Sequence, residues 1–137
     1  MTGDKFIKKL ILSSSIILLI IILDQISKEF VQKYLEVSCN FGFAFGLGEG
    51  SWPILLFVFV LVGYFLFKKK QNFLSFSLSL VIGGGIANLI DRLTVGCVRD
   101  FISVGFWPSF NLADAAITFG VLLILFEVLR GYKWLAN

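Results

Sequence analysis

The stretch from Leu10 to Lys28 reads LILSSSIILLIIILDQISK, and its nature decides the fold. Lys5, Lys8 and Lys9 precede it, so a basic start followed by an uncharged run to Leu23 has the outline of a signal peptide. The run does not close on a small-residue cleavage site, however. It continues through Asp24, Ser27 and Lys28, and three further apolar segments follow. We therefore read it as a retained membrane helix. Crossing hydrocarbon takes about 20 residues, which places the span at residues 7–27 and leaves Asp24 inside its far end.

The second span is expected at residues 52–67, closed by Lys68, Lys69 and Lys70; the third at 73–92, after Gln71 and Asn72; the fourth at 111–129, before Arg130 and Lys133. Four spans put both termini, and all these basic residues, on one side. By the positive-inside rule that side is the cytoplasm. The expectation is an all-α membrane protein: a single domain over residues 1–137, four transmembrane helices, both termini cytoplasmic, outer loops at 28–51 and 93–110. No internal repeat or linker marks a second domain.

Composition agrees. Of 137 residues, 58% are hydrophobic and only 15% charged, with a mean hydropathy of +0.92. Ordinary soluble domains carry roughly 25% charged residues. The net charge of +3 is absorbed by topology, so no nucleic-acid partner is expected. The absence of histidine excludes Ser-His and Cys-His nucleophile pairs and the common histidine zinc sites. Acid–base chemistry must come from Asp, Glu, Lys, Cys or Tyr. Cys39 and Cys97 both fall in outer loops, where they permit a disulfide without implying one; two cysteines lacking metal-ligand spacing are more often plain small residues. Leu35–Cys39 (LEVSC) is not a lipid-attachment box, because Glu36 occupies a position that should be apolar and no hydrophobic run precedes it.

The centre of the first outer loop reads CNFGFAFGLGEG. Phe41, Phe43, Phe45 and Leu47 alternate with Gly42, Ala44, Gly46 and Gly48, which fits a small β-like extracytoplasmic element with one aromatic face and one bare face. The bare face would let a peptide backbone approach. A glycine-loosened loop whose phenylalanines partition into lipid fits equally well. In the third span, Gly83 and Ala87 give the small-xxx-small spacing of close helix packing.

With orientation set, the polar groups within the spans gather at one depth: Asp24 in the first, Asn88, Asp91 and Arg92 in the third, Asn111 and Asp114 at the start of the fourth. Asn88 and Arg92 share a helix face, as do Asp24 and Lys28. Singly, each could be an ordinary helix end: Asn111 a cap, Asp114 offsetting the dipole, Arg92 pairing with Asp91, Asp24 with Lys28. Together they would cost on the order of 10 kcal/mol if lipid-facing, so they must face each other or water.

Two carboxylates brought together share a proton and titrate as a unit, so one can deprotonate a water while the other protonates a carbonyl. Asp100 and Asp114 suit this best, because the connection between them, with Gly105 and Pro108, is long enough to fold one back on the other. Phe106 and Trp107 can anchor that connection in the membrane interface. Two rival functions use the same residues. One is a magnesium-dependent phospholipid-headgroup enzyme with Asp24, Asp91, Asp100 and Asp114 as oxygen ligands; the other is a small ion or proton carrier with an Asp–Arg relay. The aspartates are scattered rather than clustered on one helix, and the polar groups stop at one depth instead of stepping across the membrane.

These residues fall into five motifs. Asp24-Gln25-Ile26-Ser27-Lys28 resembles D-x-x-[ST]-K, Asn40 to Gly46 resembles N-x-G-x-A-F, and Gly83 to Arg92 is similar to G-G-x-x-[GA]-N-x-x-D-R. Val98-Arg99-Asp100-Phe101 matches V-x-D-F, and Phe110 to Asp114 matches F-N-x-A-D. In this order the motifs resemble the type II (lipoprotein) signal peptidase family over nearly the whole chain. The resemblance implies an inner-membrane aspartyl endopeptidase that removes the signal peptide of a diacylglyceryl-modified prolipoprotein just before the lipidated cysteine. It implies no cofactor or metal, with the lipid-modified precursor and membrane lipids as partners and a monomeric state. Carried over by position, Asp100 and Asp114 are the catalytic pair. Asn40, Asn88, Arg92 and Asn111 form the polar shell, and Asp24, Lys28, Gly42 and Asp91 lend structural support. Ala87 stands where glycine is usual and Phe43 where alanine is common; Phe43 could narrow a substrate groove.

Overall fold

A computed structural model describes residues 3–42 and 72–135. The expected span at 52–67 and the alternation from Phe43 to Gly48 lie outside the described residues. Among the described residues three helices carry the fold: α1 (Gly3–Val31), α2 (Asn72–Thr94) and α3 (Leu112–Leu135). Each is long and apolar enough to cross a membrane. At 29 residues α1 is about 44 Å long, which exceeds a hydrocarbon core of about 30 Å.

Helix α2 is central, packed on α1 through one face and on α3 through another. Small residues allow the approach. A Cβ on Gly83 would lie 3.1 Å from the Ile20 side chain of α1. One on Gly84 would overlap the Ala113 carbonyl oxygen of α3 and sit 2.7 Å from Ile117 Cγ1. Neighbouring glycines thus serve different neighbouring helices. The outward faces of α1 and α3 expose Leu18, Leu19, Ile22 and Leu23, and Phe119, Leu122, Leu125 and Phe126. Such surfaces are costly in water and ordinary against lipid tails.

The second connection is more ordered than a plain loop. Helix α2 closes where the Val95 and Gly96 amides both donate to the Asp91 carbonyl, at 2.8 and 3.2 Å, with Gly96 at φ 89°. The chain then enters β2 (Val98–Asp100), β3 (Ile102–Val104) and β4 (Trp107–Phe110), following β1 (Ser38–Asn40) in the loop after α1. Strands β1 and β2 pair antiparallel, with Ser38 opposite Asp100, Cys39 opposite Arg99 and Asn40 opposite Val98. The strand of the first loop, Ser38–Asn40, precedes the alternating stretch, and its partner comes from the loop after α2. Cys39 and Cys97 are joined in a disulfide with Cα atoms 5.6 Å apart, a bond that the sequence permits without implying. Their pairing follows from a register across 58 positions that periodicity does not reveal.

Strands β3 and β4 form a hairpin, with Ile102 opposite Phe110 and Val104 opposite Trp107. Gly105, at φ 53°, opens the turn as short hairpins require, and Phe106 at the tip is 97% exposed. The Phe101 amide donates to the Phe110 carbonyl at 3.1 Å. Closing the hairpin therefore brings Asn111, and the start of α3 behind it, beside Asp100.

Candidate active site

The C-terminal ends of α1 and α2 and the first turn of α3 meet at one end of the bundle, where β2 lies against α2 and β1 pairs with β2. An ionic support comes first. Lys28 is fully buried, and its ammonium reaches Asp24 Oδ2 at 2.6 Å, Asp91 Oδ2 at 3.1 Å and Asn88 Oδ1 at 3.2 Å. Three donors meet three acceptors, which makes a buried lysine tolerable. Asp24 also accepts from the Ala113 amide at 2.9 Å through its other oxygen, pinning α1 to the start of α3.

On this support two amides aim donors at the carboxylates. Asn88 Oδ1 accepts from Lys28 and from Asn111 Nδ2 at 3.1 Å, which turns its Nδ2 toward Asp114 Oδ1 at 2.8 Å. In the same way Asn40 Oδ1 accepts from the Gly42 amide at 3.1 Å, and its Nδ2 donates to Asp100 Oδ2 at 3.1 Å. Arg92 Nη2 donates to the Gly42 carbonyl at 2.9 Å and so holds the chain just beyond β1.

Asn111 joins the pair. Its Nδ2 donates to Asp100 Oδ1 at 2.7 Å, while its backbone amide donates to Asp114 Oδ2 at 3.2 Å. Asp114 returns the contact through its own amide to Asn111 Oδ1 at 2.9 Å, a reciprocal cap on α3. Asp100 is 3% exposed, and burial pushes its carboxyl up to about 6. The donors on Asn40 and Asn111 oppose that rise, and the nearby Asp114 charge adds to it.

All ten residues singled out from the sequence gather here, but the pairings differ in places. Asp91 pairs with Lys28 and Arg99 rather than Arg92. Arg99 and Gln25 were not singled out. Arg99 is buried and chelates Asp91, while Gln25 Nε2 donates to Asp91 Oδ1 at 3.0 Å and to the Ala87 carbonyl at 3.2 Å. A signal exists for Arg99: it is a basic residue in a loop expected on the outer side, where the positive-inside rule needs none. Among the described residues no buried side-chain nitrogen or oxygen lacks a partner.

Residues 16–130 match the family model described as signal peptidase (SPase) II. The lipoprotein signal peptidase of Syntrophomonas wolfei is 42% identical, the match covering 85% of this chain and 91% of that protein. That of Caldicellulosiruptor bescii is 37% identical, over 84% and 89%. A bacterial membrane enzyme solved in meso at 2.3 Å resolution superposes with a TM-score of 0.76 at 27% identity, covering 86% of this chain and 87% of the other. A second such structure, at 1.9 Å resolution, gives 0.75 at 26% identity, covering 86% and 92%. The chain belongs to the signal peptidase II family, whose members are membrane peptidases of lipoprotein processing.

Proposed function

We propose that this protein is an aspartyl endopeptidase that cleaves diacylglyceryl-modified prolipoproteins just before the lipidated cysteine, with Asp100 and Asp114 as its catalytic pair. The observation that carries the reading is the bridge through Asn111, which donates to both carboxylates at the buried end of an apolar helix bundle. One carboxylate takes a proton from water as the water oxygen bonds to the scissile carbonyl carbon. The other, protonated, gives its proton to the carbonyl oxygen. When the tetrahedral intermediate collapses, the second carboxylate takes back a hydroxyl proton, the C–N bond breaks and the leaving amine takes the proton held by the first carboxyl. Asn40, Asn88 and Asn111 fix the two carboxyl groups before substrate arrives, and Arg92 holds Gly42 and thereby Asn40.

The topology follows the same reading. That α1 and α2 both bring their C-terminal ends to the site supports the four-span reading. Four spans then put both termini in the cytoplasm and the site at the outer face of the bacterial inner membrane, where a lipid-anchored precursor presents its scissile bond. One protomer supplies every group the reaction uses. The magnesium reading is disfavoured by the ion pairs: Asp24 and Asp91 are taken by Lys28 and Arg99, so the four aspartates do not converge on one cation. The carrier reading is disfavoured because Asp24, Lys28, Asn88, Asp91, Asn111 and Asp114 all gather at one end.

The test is cleavage of one precursor with and without the diacylglyceryl group on its cysteine, in the presence of a chelator. The lipidated form should be cut before the cysteine and the unlipidated form left intact. Equal cleavage of both would refute the substrate assignment, and loss of activity to the chelator would favour the magnesium reading.

A further inference from the structure

Arg99 is buried and charged, and the reaction above makes no use of it. Its guanidinium donates to Asp91 Oδ1 at 2.9 Å and Oδ2 at 3.3 Å, to Glu29 Oε1 at 2.6 Å, to Gln32 Oε1 at 3.1 Å and to Gln25 Oε1 at 3.2 Å. Its backbone amide donates to Asp91 Oδ2 at 2.9 Å, and its carbonyl accepts from Asn111 Nδ2 at 3.4 Å. A single residue of β2 therefore grips Gln25 and Glu29 of α1, Gln32 just beyond it, and the end of α2. Side chains alternate across a strand, so fixing Arg99 on one face presents its neighbour Asp100 to the other, where Asn40 and Asn111 meet it.

Charge pairing alone does not account for this grip. Asp91 is also paired with Lys28 at 3.1 Å, and β2 is already held by β1 and the adjacent disulfide. What Arg99 adds is a fixed seat for β2 in the corner between α1 and α2. We infer that Arg99 is a positioning residue, whose planar fork sets where the Asp100 carboxyl stands relative to Asp114. The inference rests on the proposed catalytic pair. A lysine cannot reproduce it, because a point charge satisfies one carboxylate without the bidentate geometry or the reach to Gln25, Glu29 and Gln32.

The experiment compares Arg99→Met and Arg99→Lys with the parent enzyme and with Asp100→Asn, on a diacylglyceryl-modified precursor peptide. It reads kcat, KM, the pH profile of kcat and thermal stability. The charged groups around Asp100 are Asp114 on α3, Lys28 on α1 and Arg92 on α2, all unaltered by these variants. In Arg99→Met, kcat should fall at least about tenfold with KM nearly unchanged, as a carboxyl displaced by a fraction of an ångström requires. The inflection of its pH profile should also move. Arg99→Lys should recover part of kcat and part of the inflection. A role confined to packing would lower stability while leaving kcat per folded enzyme and the inflection at parent values, and that result overturns the inference. If Arg99→Met fails to fold, Arg99→Lys decides: a lowered kcat with a moved inflection supports the inference, and parent values for both overturn it. Full activity in Asp100→Asn would sink the catalytic pair itself, whereas full activity in the Arg99 variants beside an inactive Asp100→Asn sinks only the role of Arg99.

Discussion

Asn111 and Asp114 cap one helix end for each other: the Asn111 amide donates to Asp114 Oδ2 at 3.2 Å, and the Asp114 amide donates to Asn111 Oδ1 at 2.9 Å. The same asparagine extends its Nδ2 to Asp100 at 2.7 Å. A structural job and a proposed chemical one thus sit on opposite atoms of one side chain, and they can be separated.

Asn111→Ser keeps an oxygen able to cap α3 but cannot reach Asp100; Asn111→Ala loses both. Stability should drop by about 1 kcal/mol in the alanine variant and by little in the serine variant. Both should lose kcat, by about 10²-fold. Thermal unfolding alongside cleavage kinetics makes the comparison, and a serine variant with parent kcat would remove Asn111 from the proposed machinery.

The pH dependence has a definite sign. Burial penalises the ionised form of Asp100, so this group favours the fold most below its ordinary value of 3.8, and that contribution is lost as pH rises through about 6. Asn40 donates to the ionised carboxylate and opposes the rise. Asn40→Ala should therefore move the Asp100 inflection in the pH–rate profile to higher pH. A shift to lower pH, or none, would contradict the contact drawn here.

The Cys39–Cys97 disulfide closes a separation of 58 residues, for which chain entropy alone gives about 4 kcal/mol of stabilisation. A phosphine reductant should lower the thermal midpoint of the parent enzyme. It should leave the Cys39→Ser, Cys97→Ser double variant unchanged at an already lowered midpoint. Equal midpoints for parent and double variant would show that the bond contributes nothing.

The helices and the cluster at their ends were legible in the sequence because hydrocarbon leaves a polar residue few choices. Asp24, Lys28, Asn88, Asp91, Asn111 and Asp114 stand at matching depths, and depth follows from counting residues along spans. What stayed hidden depends on which strand lies beside which. The opposition of Cys39 to Arg99 and of Ile102 to Phe110 is set by a short sheet and a hairpin, and these decide the disulfide and the approach of Asn111 to Asp100. Arg99 was overlooked for a related reason. In the motif V-x-D-F its position is left open, and its partners Glu29 and Gln32 are 70 and 67 residues away.

The central claim is that Asp100 and Asp114 perform the hydrolysis, and the most direct measurement replaces each by asparagine, which preserves shape while removing the titrating oxygen. With folding verified by an unchanged thermal transition, Asp100→Asn and Asp114→Asn should each leave a diacylglyceryl-modified precursor uncleaved, while Asp24→Asn, a support through Lys28 and Ala113, should retain partial activity. Near-parent turnover in either of the first two variants would contradict the account.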